Sequence, residues 1–181
     1  MRNNGVDFEK RKEILGEKIR VIQEIWSQDK AEFKGEYLEF EALYSWPKPV
    51  QRPRPPLLIG AAAVPRTWRD IAQWGDGWMP TRLRAEGEEL GRHIETMRRY
   101  AEEAGRDPAS LQVSLIHLSL ERAQGREETV EEFISMFPSA QLIDMYEGFG
   151  IDRIILAPPV GTMEQARRAF DAVASELIAT S

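Results

Sequence analysis

The sequence contains no cysteine, which excludes disulfides, thiolate metal ligands and a cysteine nucleophile. Its two histidines, His93 and His117, lie far apart with no paired carboxylates beside them, so we expect no metal site. No apolar stretch approaches the ~20 residues of a membrane span. The opening residues, MRNNGVDFEKRKEI, lack the apolar core of a signal peptide. We therefore expect a cytoplasmic protein with no membrane partner.

A basic surface is also missing. The formal net charge is −6, whereas nucleic-acid binding predicts a basic stripe or a high isoelectric point. We expect no nucleic-acid partner. Apolar residues make up 42% of the 181 residues, which is enough for a core and too much for a disordered chain. This length suits one domain, and we expect a single domain over residues 1–181.

Helical and strand-like patterns alternate along the chain, and this alternation predicts an α/β protein with a parallel sheet. The predicted helices cover residues 7–27, 65–74, 86–104, 128–137, 139–148 and a final stretch from residue 162. The predicted strands cover residues 57–60, 75–80, 111–120 and 151–157, and a hairpin is expected at 32–41. Five prolines within residues 47–56 exclude helix and central strand there, so we expect an extended surface connector.

Two helix starts carry capping signals. Asp7 is the expected N-cap of the first helix, and Thr162 with Gln165 forms a capping box at the start of the last one. The spacing of apolar residues in that last helix predicts which side chains are buried: Ala166, Phe170, Val173 and Leu177.

The junction after the strand LLIG is a candidate ligand site. Gly60, Ala61, Ala62 and Ala63 lead into a helix whose first turn contains Pro65. Small side chains let a ligand approach the backbone, and free N–H groups at a helix start favour an anion such as phosphate. Close packing is the alternative explanation for the small residues. Arg66 would add positive charge, although a solvated arginine is common at such a position.

Two further segments carry weaker signals. In GDGWMP, Trp78 is a candidate pocket wall or a core residue, and Asp76 is expected to cap the tight turn. His117 lies in the middle of a strand, and we interpret it as a structural histidine rather than a general base. Glu121 and Arg122 follow that strand, where barrel active sites collect, and paired surface charges are the alternative interpretation.

The order of these motifs resembles that of the luciferase-like monooxygenase superfamily. Phe33, Gly35 and Phe40 match its F-x-G-x-x-x-x-F excursion. Residues 46–56 match its WPKPVQ-x-P-x-PP connector, residues 57–60 its glycine-ended apolar strand, and residues 76–78 its DGW strand. The resemblance covers essentially the whole chain. It is strongest to the branch that uses the deazaflavin coenzyme F420.

This resemblance implies both a fold and an activity. Members are (β/α)8 barrels that bind FMN or a deazaflavin at the carboxyl ends of the strands and transfer hydride to or from the flavin ring. Some members activate oxygen on the reduced FMN. The resemblance places the cofactor phosphate on the amides of the loop that follows residue 59, where Ala61 replaces the second family glycine. The candidate cofactor-binding residues are Gly60, Ala61, Ala62, Ala63, Arg66 and Trp78.

The length indicates only part of such a barrel. A complete barrel usually needs roughly 200–250 residues, and Met1 aligns within the family pattern, just before the helix of residues 7–27. We therefore expect a partial (β/α)8 barrel, its C-terminal half, with about four parallel strands and a short hairpin excursion. No catalytic residue is assigned, because the resemblance places most of those in the N-terminal half.

Half a barrel leaves two open sheet edges and an uncovered apolar inner face, and both favour association. We expect a homo-oligomer, most simply a dimer. Three interpretations follow. The chain is an F420- or FMN-dependent oxidoreductase or monooxygenase of small molecules, active as an oligomer or with a missing half. It is instead a non-catalytic, flavin-binding or structural remnant. Or its gene begins upstream of Met1.

Overall fold

The structure, a computed structural model, describes residues 7–81, 87–117, 129–135, 140–156 and 162–179. The chain divides into two compact units. The first comprises Met1–Leu57 and Gln73–Gly75, and the second comprises Leu58–Ala72 and Asp76–Ser181, each taken over its described residues. The expectation of a single domain over residues 1–181 stays a prediction.

The first unit begins with helix α1, Arg11–Ser27. The predicted start at Asp7 is wrong by four residues. The Asp7 carboxylate accepts a hydrogen bond from the Glu9 amide at 3.0 Å and so caps a separate turn. An aspartate readily closes such a turn two residues further on. Lys10 is the helix N-cap and provides no side-chain cap.

An antiparallel hairpin follows α1, as predicted for residues 32–41. Its strands are β1, Lys30–Lys34, and β2, Glu39–Tyr44. Phe33 pairs with Phe40 across the hairpin, and their rings stack with centroids 6.4 Å apart. The connector over residues 47–56 then contains neither helix nor strand, as predicted. The bonds Trp46–Pro47 and Arg52–Pro53 are cis.

The second unit contains a parallel sheet of four strands in the order β3-β4-β5-β6. Spatial order equals chain order, and helices connect successive strands, as in a segment of a (β/α) barrel. The strands are β3, Leu58–Ile59; β4, Gly77–Trp78; β5, Gln112–His117; and β6, Arg153–Leu156. The helices are α2, Pro65–Trp74; α3, Gly87–Glu103; α4, Val130–Ser135; α5, Ala140–Gly148; and α6, Met163–Ala179. The fold is therefore α/β, a partial barrel, as predicted.

One face of this sheet packs against the helices. The register places Trp78 beside Val113, and side chains alternate between faces along a strand. These two residues belong to a buried cluster with Ile71 of α2 and with Ile94 of α3. His117 shares the face of Val113 and is buried. The core of the second unit therefore lies between the sheet and its helices.

The opposite face, which we call the inner face, is mixed rather than uniformly apolar. At the amino-terminal end of the sheet it carries Gln112 and Arg153, which are both exposed. Towards the carboxyl end it carries Ile116 and Ile155, which pair in register and are half-buried. The expected apolar inner face is thus interrupted by polar side chains.

Helix α6 begins with the predicted capping box. The Gln165 amide donates to Thr162 Oγ1 at 3.2 Å, and the Thr162 amide donates to Gln165 Oε1 at 2.8 Å. The predicted buried stripe is partly wrong, because Phe170 is 48% exposed and the buried residues are Ala169 and Val173. Each step along a helix turns by about 100°, so the packed stripe lies one residue before Phe170.

Several predictions fall outside the described residues. They concern Glu121, Arg122, the break at Pro138, the ends of two strands at 118–120 and 157, and residue 86 at the start of a helix. The side chain of Leu177 is also outside the described set. Among the helices of the described ranges, none is both long and apolar enough to cross a membrane.

Candidate functional site

The predicted ligand loop, residues 60–63, follows β3 and leads to α2 at the carboxyl edge of the sheet. The last β3 contact is the hydrogen bond from the Met79 amide to the Ile59 carbonyl, at 3.0 Å. Gly60 and Ala61 are exposed, and Ala62 and Ala63 are half-buried. In open α/β sheets, ligands bind beyond this edge, where the loops leave the strands.

The amides of this loop form a set of unused donors. Val64 N donates to the Ala62 carbonyl at 2.9 Å, and this bond begins the turn into α2. Within the described part of the chain, the amides of residues 60–63 donate no hydrogen bond. Amides in front of a helix carry partial positive charge, so this arrangement is suited to an anion.

Gly60 has no structural reason to be glycine in its own surroundings. A Cβ atom there would lie 3.6 Å from Met79 Cε and 3.8 Å from the Met79 carbonyl oxygen, which are ordinary contacts. Its φ angle is not in the left-handed region. Neither packing nor backbone conformation therefore requires glycine at position 60.

Two buried side chains hold the loop from the helix-facing side. The indole N–H of Trp78 donates to the Ala61 carbonyl at 2.9 Å, and the Thr67 hydroxyl donates to the Ala62 carbonyl at 2.7 Å. Trp78 is 2% exposed and Thr67 is 4% exposed. Of the two interpretations of Trp78, core residue or pocket wall, the contacts match the core residue, which here also binds the loop.

The ring of Trp78 is itself fixed by its neighbours. It meets Trp68 edge-on, with centroids 4.9 Å apart and an interplanar angle of 82°. The centroid of the His93 ring lies 6.1 Å from that of Trp78, with an interplanar angle of 89°. Edge-to-face aromatic packing of this kind sets the direction of the indole N–H independently of the loop.

Arg66 lies in the first turn of α2, as predicted, but it is not a free cation. Its Nε lies 2.8 Å from Asp70 Oδ1, and the two side chains are 39% and 21% exposed. The carboxylate of Asp70 therefore compensates part of the positive charge of Arg66. A role of Arg66 in binding an anion stays a prediction.

Gly77, the glycine of the DGW motif, is required by close strand pairing rather than by a tight turn. Gly77 pairs with Gln112, and a Cβ at position 77 would overlap the main chain of that residue, 2.7 Å from its carbonyl carbon. The Gln112 amide donates to the Asp76 carbonyl at 2.9 Å, which holds the two strands together. Close approach of backbones requires glycine here.

The glycine of the excursion motif depends on Glu17, which pattern reasoning missed. The Glu17 carboxylate accepts hydrogen bonds from the amides of Glu36, Tyr37 and Leu38, at 2.6, 2.8 and 2.8 Å. A Cβ at Gly35 would lie 2.5 and 2.6 Å from its two oxygens. This contact spans about 20 positions of sequence, so no local pattern signals it.

Burial and hydrogen bonding act oppositely on Glu17. Burial raises the pKa of this carboxyl, but the three backbone donors and the charge of Arg20 outweigh it, so the pKa lies below its ordinary value. Glu17 is therefore ionised at neutral pH. It holds the turn of the hairpin as a structural anion.

Comparison with known proteins identifies the family of the chain. The family model described as Luciferase-like monooxygenase matches residues 1–180. An uncharacterized protein of Mycobacterium tuberculosis is 37% identical over 79 residues, which is 44% of this chain and 28% of that protein. An FMNH(2)-dependent dimethylsulfone monooxygenase of Pseudomonas putida is 37% identical over 60 residues, covering 33% of this chain and 16% of that protein.

An F420-dependent glucose-6-phosphate dehydrogenase of Mycolicibacterium gilvum is 33% identical over 106 residues, covering 56% of this chain and 30% of that protein. Among solved structures, monooxygenase RslO1 from Streptomyces bottropensis has a TM-score of 0.72 at 16% identity. That likeness, which shows the fold, covers 97% of this chain and 63% of the RslO1 chain. The matches thus span less than a third of the curated relatives and under two thirds of RslO1. The chain belongs to the luciferase-like monooxygenase family, as the order of its motifs predicted.

Proposed function

We propose that this chain is part of a flavin- or deazaflavin-dependent oxidoreductase that acts on a small molecule. The carrying observation is the loop of residues 60–63, which lies at the carboxyl edge of the sheet and whose amides donate no hydrogen bond within the described chain. Membership of the family supplies the class of ligand. Two relatives are named for FMNH(2) and for F420, and both cofactors carry a phosphate.

The residues present fit that phosphate. Four consecutive small residues offer backbone donors without side chains in the way, and a helix of ten residues begins directly after them. Arg66 adds a partly compensated positive charge. When bound, the cofactor supplies the hydride chemistry, and the role proposed for these residues is to bind its anionic tail. The motif resemblance favours F420 over FMN.

The proposal extends to the assembly. Within the described residues, β3 pairs only with β4 and β6 pairs only with β5. Unpaired strand edges are available for pairing with another chain. We propose a homodimer that covers these edges, in the cytoplasm, as the form that binds cofactor and substrate.

The test is a binding experiment on the purified chain with F420 and FMN in parallel, followed by an assay of hydride transfer. Ala61→Asp places a carboxylate in the loop and is expected to weaken binding by more than about tenfold. Ala61→Ser, at the same exposed position, is the control and is expected to bind as the unmodified chain does.

Each other outcome has a meaning. Failure to bind either cofactor contradicts the proposal, and so does undiminished binding by Ala61→Asp. Binding without turnover, in the presence of a reductant or oxidant for the flavin, assigns the chain to the alternative function, a non-catalytic flavin-binding remnant.

A further inference from the structure

We propose that Thr67 and Trp78 are positioning residues, which turn the amides of Ala62 and Ala63 towards the anionic part of the cofactor. This inference rests on the proposed function and deepens it. It concerns how the loop selects a phosphate, rather than whether the loop binds one.

The argument begins with two consecutive carbonyls. Trp78 Nε1 donates to the carbonyl of Ala61, and Thr67 Oγ1 donates to the carbonyl of Ala62. Both peptide bonds are trans, since the cis bonds of the described chain lie at Pro47 and Pro53. In a planar trans peptide the N–H points opposite to the C=O. A carbonyl held on one side therefore sends the next amide to the other side.

Burial then decides which side that is. Trp78 and Thr67 are packed in the core between the sheet and α2, at 2% and 4% exposure. The carbonyls of Ala61 and Ala62 point towards these donors. The amides of Ala62 and Ala63 consequently point away from the core, on the side where the loop meets solvent.

Trp78 and Thr67 are both held in place by parts of the protein other than the loop. The Trp78 indole is packed edge-on against Trp68 and beside His93. The Thr67 hydroxyl belongs to the first turn of α2, and the carbonyl that it contacts also accepts from the Val64 amide at 2.9 Å. The orientation of the loop peptides is therefore built into the protein before a ligand arrives, which lowers the cost of ordering them on binding.

Loss of either donor should therefore weaken binding of the cofactor phosphate and change binding of the flavin ring little. We would measure dissociation constants for FMN against riboflavin, and for F420 against its phosphate-free deazaflavin core. FMN differs from riboflavin only by its phosphate, so the ratio within that pair reports the phosphate contact alone. F420 differs from its deazaflavin core by the whole anionic tail, so the ratio within that pair reports the tail as a unit. A general loss of folding would weaken both members of a pair and leave the ratio unchanged.

The variants are chosen to remove one donor each. Thr67→Val keeps the shape and removes the hydroxyl, whereas Thr67→Ser keeps the hydroxyl. Trp78→Phe removes the indole N–H. We expect the unmodified chain to prefer the phosphorylated form by about tenfold or more. Thr67→Val and Trp78→Phe should reduce that preference by about fivefold or more, and Thr67→Ser should retain it.

The outcomes separate this inference from the proposed function. A clear phosphate preference that survives in both Thr67→Val and Trp78→Phe overturns the inference and leaves the proposed function standing. Equal weakening of both members of a pair also overturns it, because the two residues would then be structural only. No phosphate preference in the unmodified chain removes the proposed anion site itself. Thr67→Val alone decides the matter if Trp78→Phe fails to fold.

Discussion

Gly77 and Gln112 lie side by side in β4 and β5, so close that the main chain of Gln112 occupies the space of a side chain at position 77. The obstruction is backbone, held in the sheet by the bond from the Gln112 amide to the Asp76 carbonyl. It therefore has little freedom to move aside. The spacing of these two strands depends on glycine.

The first prediction concerns this contact. Gly77→Ala should lower the free energy of unfolding by about 3 kcal/mol or more, because the added methyl group overpacks two paired strands. Denaturant unfolding measures it. Gly16→Ala is the matched control, since a Cβ there meets nothing within 4 Å and Gly16 lies inside a helix. It should stabilise by about 0.5–1 kcal/mol. A Gly77→Ala variant as stable as the unmodified chain would contradict the prediction.

The second prediction concerns acid sensitivity through Glu17. Its pKa is lower in the folded chain than the ordinary 4.5, so its stabilising contribution is complete above that value. The contribution is lost as the pH falls through the lowered folded pKa. Glu17→Gln should melt at a lower temperature than the unmodified chain at neutral pH, and the gap should close below pH 4.5.

Melting curves followed by circular dichroism across that pH range make the measurement. Glu13→Gln, an exposed position on the same helix, is the control and should leave the pH profile unchanged. A gap between Glu17→Gln and the unmodified chain that stays constant down to acid pH would show that the charge of Glu17 is irrelevant.

The third prediction concerns the pair of Arg66 and Asp70. Asp70→Asn should release the guanidinium and strengthen binding of a phosphorylated cofactor by about two- to fivefold, whereas Arg66→Gln should weaken it by a similar factor. Stability should change by less than about 0.5 kcal/mol in both, as for a half-exposed pair on one helix. Isothermal titration at low and high salt provides the test. Equal affinity in all three proteins would exclude Arg66 from the site.

The fourth prediction concerns the assembly. The chain has a mass of 20.7 kDa, and light scattering at micromolar concentration should give about twice that value for the proposed dimer. A stable and well-folded monomer would contradict the proposal that self-association covers the edges of β3 and β6.

The sequence predicted well those features that depend on residues close together in the chain. The capping box of Thr162 and Gln165 satisfies its own amides, and the alternation of strands and helices follows from the period of apolar residues. Each proline of residues 47–56 restricts its own φ angle and lacks an amide donor, which excludes helix and central strand there. Such features depend little on what packs against them, so the hairpin, the connector and the parallel sheet were predicted.

The features that were missed depend on partners distant in sequence. Trp78 reaches a carbonyl 17 positions away, and Glu17 reaches amides 19 to 21 positions away. Phe170 was expected inside from the spacing of apolar residues in the last helix, but Phe133 and Leu156 pack against Ala169 and Val173 instead. The small residues of the loop predicted a candidate anion site. The two donors that orient its amides became visible only in three dimensions.

The mixed inner face of the sheet sets a condition on any molecule that docks there. Arg153 stands on that face, in register with Ser114 and exposed. A docking surface made only of aliphatic groups would desolvate this guanidinium without offering it a hydrogen-bond acceptor, which costs several kcal/mol. A stable complex that covers this guanidinium must therefore bring a carboxylate or several carbonyls to it. One charged side chain thus limits which surfaces can dock on this side of the sheet.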